Sequence, residues 1–235
     1  MSLRDPAREI LSIAIAPFVL LCVITACCYV AAGPTLALYL GGLALAMVLT
    51  PPLVLAHRAR MNQLLAAASI IDGVGVVWLV AMFRTDLTFV QWLSAYVLLA
   101  ACVIGATGAA VALARFAMNE LFASAMVTVA VLAWLTWPIW LSAWIDQSSV
   151  VRAMDWLVPV HPLLALNGLL AHLGVWGELP VMYQLTSLGQ DVPYSLPATV
   201  ATCAALHFLL GGALLLFSTY ELRRPAVDES DRQPG

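Results

Sequence analysis

The chain has 235 residues, of which 63% are hydrophobic and 10% charged, and its formal net charge is -3. A soluble domain carries charge on about a quarter of its residues, so a set this sparse does not coat a water-soluble globule, and the small negative balance offers no electrostatic footprint for nucleic acid. All ten basic residues are arginine, which excludes a Schiff-base lysine and the lysine of a Walker A phosphate loop.

The apolar residues arrive in blocks of span length, and the bilayer is the solvent that accommodates them. The first block covers 10–32. Its Ile24-Thr25-Ala26-Cys27 resembles a lipoprotein cleavage box. Against cleavage, the run is too long for a signal core, and Asp5 and Glu9 stand where a basic leader belongs. An uncleaved span is expected. Gly33-Pro34 turns the chain, and a second block follows over 36–56. After the polar run His57 to Gln63, a third block covers 64–83 and closes at Arg84-Thr85-Asp86. The fourth covers 91–114, the fifth 121–145 and the last 198–220. The tail 225–235 is acidic and proline-bearing, and disorder is expected there.

Between the fifth and last blocks, residues 146–197 are only moderately apolar and contain Pro159, Pro162, Pro180, Pro193 and Pro197. Trp156, Trp176, Tyr183 and Tyr194 belong to the types that favour membrane interfaces. The apolar stretch Pro162 to Leu173 is too short to span and suits a re-entrant or interfacial helix. The expected fold is therefore all-α and polytopic: six transmembrane helices in one domain over 1–224, with an outer helical segment between spans five and six. With the N-terminus inside, Arg4, Arg8, Arg58, Arg60, Arg115, Arg223, Arg224 and Arg232 fall inside, and only Arg84 and Arg152 outside. The positive-inside rule then places both termini in the cytoplasm.

Asp72 is the one acid well inside a span, about two turns from its inner end by this reading. An intramembrane carboxylate marks a functional site by default, although it also suits an acid that snorkels or pairs with an arginine. In the fifth span, Trp134, Trp137, Trp140 and Trp144 fall at helical spacing near the outer end. They suit an aromatic belt, or the lining of a path for an amphipathic substrate, with Pro138 as a kink. The small-residue run Gly105 to Ala110 suits close helix packing. Cys22, Cys27, Cys28, Cys102 and Cys203 all lie in apolar stretches and read as packing residues. The histidines are His57, His161, His172 and His207. No metal-ligand spacing and no catalytic motif is present, so neither a metal ligand nor a catalytic residue is assigned.

The run Gly105 to Ala114 followed by Arg115-Phe116-Ala117-Met118-Asn119-Glu120, and the stretch Trp156-Leu157-Val158-Pro159-Val160-His161-Pro162-Leu163, carry a resemblance. The layout resembles the type-2 integral membrane permeases of ABC exporters. The resemblance implies that Arg58, Arg60, Met61, Asn62 and Gln63 form the loop on which a cytoplasmic ABC ATPase docks. It implies short re-entrant helices around Pro159, His161, Pro162, Asn167 and His172. The candidates for a translocation path, read from the residues themselves, are Asp72, Trp137, Trp140 and Trp144. Two copies, or this chain and a related one, would pair in the cell inner membrane. ATP would be bound by the partner, with no cofactor in this chain. The short basic inner loop and the stretch from Leu179 to Pro197 depart from the family pattern. The rival expectation is a membrane anchor or haem-binding subunit of a respiratory or assembly complex, for which His161, His172 and His207 would have to converge.

Overall fold

A computed structural model describes residues 6–116, 119–140, 148–175 and 194–220. Trp144, Trp176, most of the stretch from Leu179 to Pro197, the tail, and Arg4, Arg223, Arg224 and Arg232 lie outside them. The described residues form helices α1 (Pro6–Ala32), α2 (Leu36–Leu55), α3 (Arg60–Met82), α4 (Phe89–Phe116) and α5 (Glu120–Trp140). These are followed by α6 (Ser148–Val160), α7 (Pro162–Leu169), a single 3-10 turn (Ala171–Leu173) and α8 (Ala201–Tyr220). Helices α1 to α5 and α8 are the six long and apolar enough to cross a membrane, and the described residues contain no strand. The protein is an all-α, multi-pass membrane protein.

Local chemistry sets the turns. Gly33 ends α1 at φ +69°, a left-handed conformation that costs glycine little, and its N–H closes on the Tyr29 carbonyl at 2.8 Å. Ahead of α4, the Thr88 N–H donates to Gln91 Oε1 at 2.9 Å and the Gln91 N–H to Thr88 Oγ1 at 3.3 Å. This is a reciprocal capping box. At the start of α5, Asn119 Oδ1 accepts the Leu121 N–H at 2.8 Å, an N-cap that satisfies an otherwise orphaned donor.

Lipid is as apolar as leucine, so spans associate through close packing rather than through the hydrophobic effect. The α4–α8 seam is the most extensive, and glycine makes it possible. A Cβ on Gly108 would lie 2.5 Å from the Gly211 carbonyl oxygen, and one on Gly211 would lie 2.6 Å from the Ile104 oxygen. The α1–α3 seam uses Gly73, where a Cβ would stand 2.7 Å from the Phe18 oxygen. On α2, Gly42 leaves room for the buried Trp78 indole, whose ring packs at 5.5 Å against Tyr39.

Helix α3 starts at Arg60, four residues ahead of the apolar block, because Arg, Met and Gln are good helix formers even when polar or exposed. Arg60, Met61, Asn62 and Gln63 therefore form a first helical turn and not a loop. Asp72 accordingly lies about 18 Å along α3, more than three turns from its start.

Helices α6 and α7 form the segment between the fifth and sixth spans, and they meet at a break. The break is inserted into the bundle: His161 touches the Trp134 carbonyl, about 9 Å along the helix axis below Trp140, the last described residue of α5.

Candidate functional site

Three groups of side chains carry chemistry, at different levels of the bundle. The first lies at the end bearing Arg58, Arg60 and Arg115. Arg58 is exposed, as is Met61 at 68%. Arg60 points inward instead. Its guanidinium donates to the Leu215 carbonyl and, at 2.7 Å, to Ser218 Oγ, which ties the start of α3 to the last turns of α8. Gln63 Nε2 donates to the His57 carbonyl at 2.8 Å and holds the α2–α3 connection. Leu55, Arg58, Gln63, Val111, Ala114, Arg115 and Glu120 line a cleft of about 170 Å³. An apolar hollow of about 230 Å³, sharing Leu55 and Glu120, continues it along Pro52 and Leu121. The cleft brings Arg58, Arg115 and Glu120 together with the apolar Leu55, Val111 and Ala114.

The second group centres on Asp72. Tyr96 of α4 donates a 2.7 Å hydrogen bond to Asp72 Oδ1. The phenol reaches it because Gly75 has no side chain: a Cβ there would stand 2.5 Å from the Tyr96 ring. Tyr96 continues a ring stack with Trp92 at 5.4 Å, and Trp92 stacks on Phe89 at 5.5 Å. Asp72 lies on the outward face of α3, in line with the exposed Val76 and Val80. Among the described residues its partner is thus a tyrosine and not an arginine.

The third group is the break between α6 and α7. Pro159 lies in the last turn of α6, which ends at Val160, and Pro162 begins α7, so His161 between the two helices loses the regular helix pattern. His161, fully buried, fills the gap. Its Nδ1 accepts the Leu164 N–H at 3.3 Å and caps α7, and Nε2–H donates to the Trp134 carbonyl at 3.1 Å. That pair of bonds fixes the neutral tautomer. The ring sits between Trp134 (5.7 Å) and Trp137 (5.5 Å, edge-on). Burial pushes its pKa down to about 4, because the apolar surroundings disfavour the imidazolium. Buried Asn167 donates through Nδ2 to the Gly174 carbonyl at 2.9 Å and closes the turn after α7. Gly168 lets the Pro197 backbone cross α7, and His172 is exposed.

The tryptophans therefore part company. Trp137 is buried against His161, whereas Trp140 is 56% exposed and donates its indole N–H to the Ala133 carbonyl at 3.0 Å. Trp137 and Asp72, both path candidates, belong to separate neighbourhoods: one meets α7, the other α4. Of the histidines, His161 spends both ring nitrogens on backbone groups and His172 faces outward, while His207 lies near enough to His161 to act on it electrostatically.

The fold and these sites define the class, a six-helix membrane protein with a broken helical insertion before its last span. Neither the family models, the curated proteins nor the solved structures gave a match to the chain.

Proposed function

We propose that this protein is the membrane permease subunit of an ABC-type exporter, moving an amphipathic substrate with energy from a separate ATPase. The observation that carries the reading is the polarity of the bundle. The α6–α7 insertion occupies one end, and the exposed Arg58 and Arg115 beside Glu120 frame a cleft at the other. On this reading the arginine end is cytoplasmic, in keeping with the positive-inside rule, and the chain resides in the cell inner membrane with both termini inside. The ATPase seats on Arg58, Met61, Asn62 and Gln63, while Arg60 holds that turn to α8. The chain has no lysine, so ATP turnover belongs to the partner.

Asp72 faces away from this chain's own bundle. An intramembrane carboxylate on such a face is accommodated by a partner or a wet path. This favours pairing of two permease chains with the path between them, and on this reading Asp72 rather than Trp137 lines it. As a haem-binding subunit the chain would need at least two convergent histidines, and His161 has no ring nitrogen to spare.

The test is ATP hydrolysis by the purified permease–ATPase assembly in lipid. Reversing the cleft charges with Arg58→Glu and Arg115→Glu is expected to release the ATPase and abolish permease-dependent turnover. Unchanged turnover and unchanged assembly would reject the reading.

A further inference from the structure

Cys102 of α4 and Cys203 and His207 of α8 meet at the α4–α8 seam, and all three are buried. One ligand atom from each lies within 4.8 Å of the others. From these residues we propose an intramembrane site for a thiophilic d10 cation, bound by two thiolates and one imidazole.

The geometry is that of a ligand set before the ion draws it in. The Cys203 sulfur stands 3.6 Å from His207 Nδ1. Ligands at about 2.3 Å (sulfur) and about 2.1 Å (nitrogen) subtending a tetrahedral angle are separated by about 3.6 Å. Cys203 and His207 are four apart on one helix and so project from one face. Cys102 comes from the neighbouring helix, and the glycine contacts at Gly108 and Gly211 hold the two helices at the distance the set requires.

The metal-free groups have only makeshift partners. Cys203 S–H donates to the Val160 carbonyl at 3.1 Å, at the α6–α7 break, and His207 Nδ1–H donates to the Cys203 carbonyl of its own helix at 2.8 Å. An imidazole in hydrocarbon satisfied only by its own turn is costly, and leucine would pack the seam without that cost. Binding a divalent ion releases two thiol protons, one each from Cys102 and Cys203. The His207 proton moves from Nδ1 to Nε2. The Cys203 carbonyl keeps its ordinary helical donor, the backbone N–H of His207. Two thiolates and a 2+ ion are together neutral, which suits a low-dielectric surrounding. Thiolate and imidazole donors select Zn(II) or Cu(I) over Mg(II) and Ca(II). Three protein ligands suffice for Cu(I), whereas Zn(II) completes its shell with a fourth donor.

This inference does not depend on the transport reading. The full-length purified protein is titrated with Zn(II) alone and, under reducing conditions, with Cu(I) alone, against a chromophoric chelator, and the loaded protein is examined by X-ray absorption. The expected result is one tightly held equivalent with two sulfur neighbours and one imidazole nitrogen, and the ion bound more tightly names the native metal. The equivalent is retained when Cys22, Cys27 and Cys28 are changed to Ser, and lost in Cys203→Ser and in His207→Leu. If a seam variant does not fold, the sulfur count in the wild-type protein decides. Binding that follows Cys22, Cys27 and Cys28, an all-oxygen and nitrogen shell, no bound equivalent, or a Cys102–Cys203 disulfide in freshly purified protein would each overturn the proposal.

Discussion

Tyr96 holds Asp72: the phenol on α4 donates to the carboxylate on α3 at 2.7 Å, and Gly75 leaves the gap through which the ring reaches it. Each of the two glycines in Asp72-Gly73-Val74-Gly75 seats a different neighbour, Gly73 the backbone of α1 and Gly75 the ring of Tyr96. The motif therefore fixes two helices on α3 and leaves its acid on the outward face between them.

Tyr96→Phe is expected to cost about 1 kcal/mol in reversible unfolding in micelles, the usual worth of one hydrogen bond between spans. Gly75→Val is expected to cost more, about 1–3 kcal/mol, because the ring must leave its seat. Equal effects of the two substitutions would show that the glycine has no packing role.

Neighbouring glycines on α4 should respond differently to alanine. At Gly105 a Cβ would meet the His207 ring at 3.4 Å, an ordinary contact, whereas at Gly108 it would meet Gly211 backbone at 2.5 Å. Gly108→Ala is expected to destabilise by about 1–3 kcal/mol and Gly105→Ala by less than about 0.5 kcal/mol, measured in the same micelle assay.

The residues proposed for docking separate into structural and exposed members. Arg60 donates through Nη2 to Leu215 and Ser218, so Arg60→Ala is expected to lower stability by about 1.5–3 kcal/mol, the range for hydrogen bonds from a charged donor. Arg58 is exposed, and Arg58→Ala should change stability by less than about 0.5 kcal/mol while weakening partner binding. Thermal unfolding and a partner pull-down, run on both variants, separate the two roles.

His161 gives the fold a pH dependence. Its folded pKa of about 4 lies below the ordinary 6.5, so the unfolded chain binds the extra proton. The contribution is complete above pH 6.5 and is lost as pH falls towards 4, at up to about 1.4 kcal/mol per pH unit. The ring faces Trp134 and Trp137, and protonation of His207 would add to the burial in opposing the imidazolium. Unfolding midpoints should fall between about pH 6.5 and about pH 5 in the wild type. In His161→Asn, which keeps a capping side chain, this pH dependence should flatten. A slope that survives the substitution would assign it to another group.

The spans were legible because composition alone dictates lipid as solvent, and the short helix that starts at Pro162 because its apolar stretch is too brief to span. The start of α3 was not, since Arg60, Asn62 and Gln63 are polar and carry no apolar signal, yet the helix extends through them. Thr88-x-x-Gln91 was a readable capping box that an apolar-block reading passes over. His161 reads as interfacial from sequence and is buried, because only the packed structure reveals the Trp134 carbonyl that receives its proton. The meeting of Cys102 with Cys203 joins residues 101 apart in sequence. The sequence hint was the four-residue spacing of Cys203 and His207, which gains meaning once α4 is known to lie beside α8.

The proposed transport role requires an ATPase seated at the arginine end. A photo-crosslinking amino acid placed at Met61, whose side chain is exposed, tests this in intact membranes, with the same probe at His172 as the control for the other end. The expected result is a crosslink from position 61 alone to a protein that carries a phosphate loop and hydrolyses ATP. A nucleotide-binding partner trapped from position 172, or none from position 61, would contradict it.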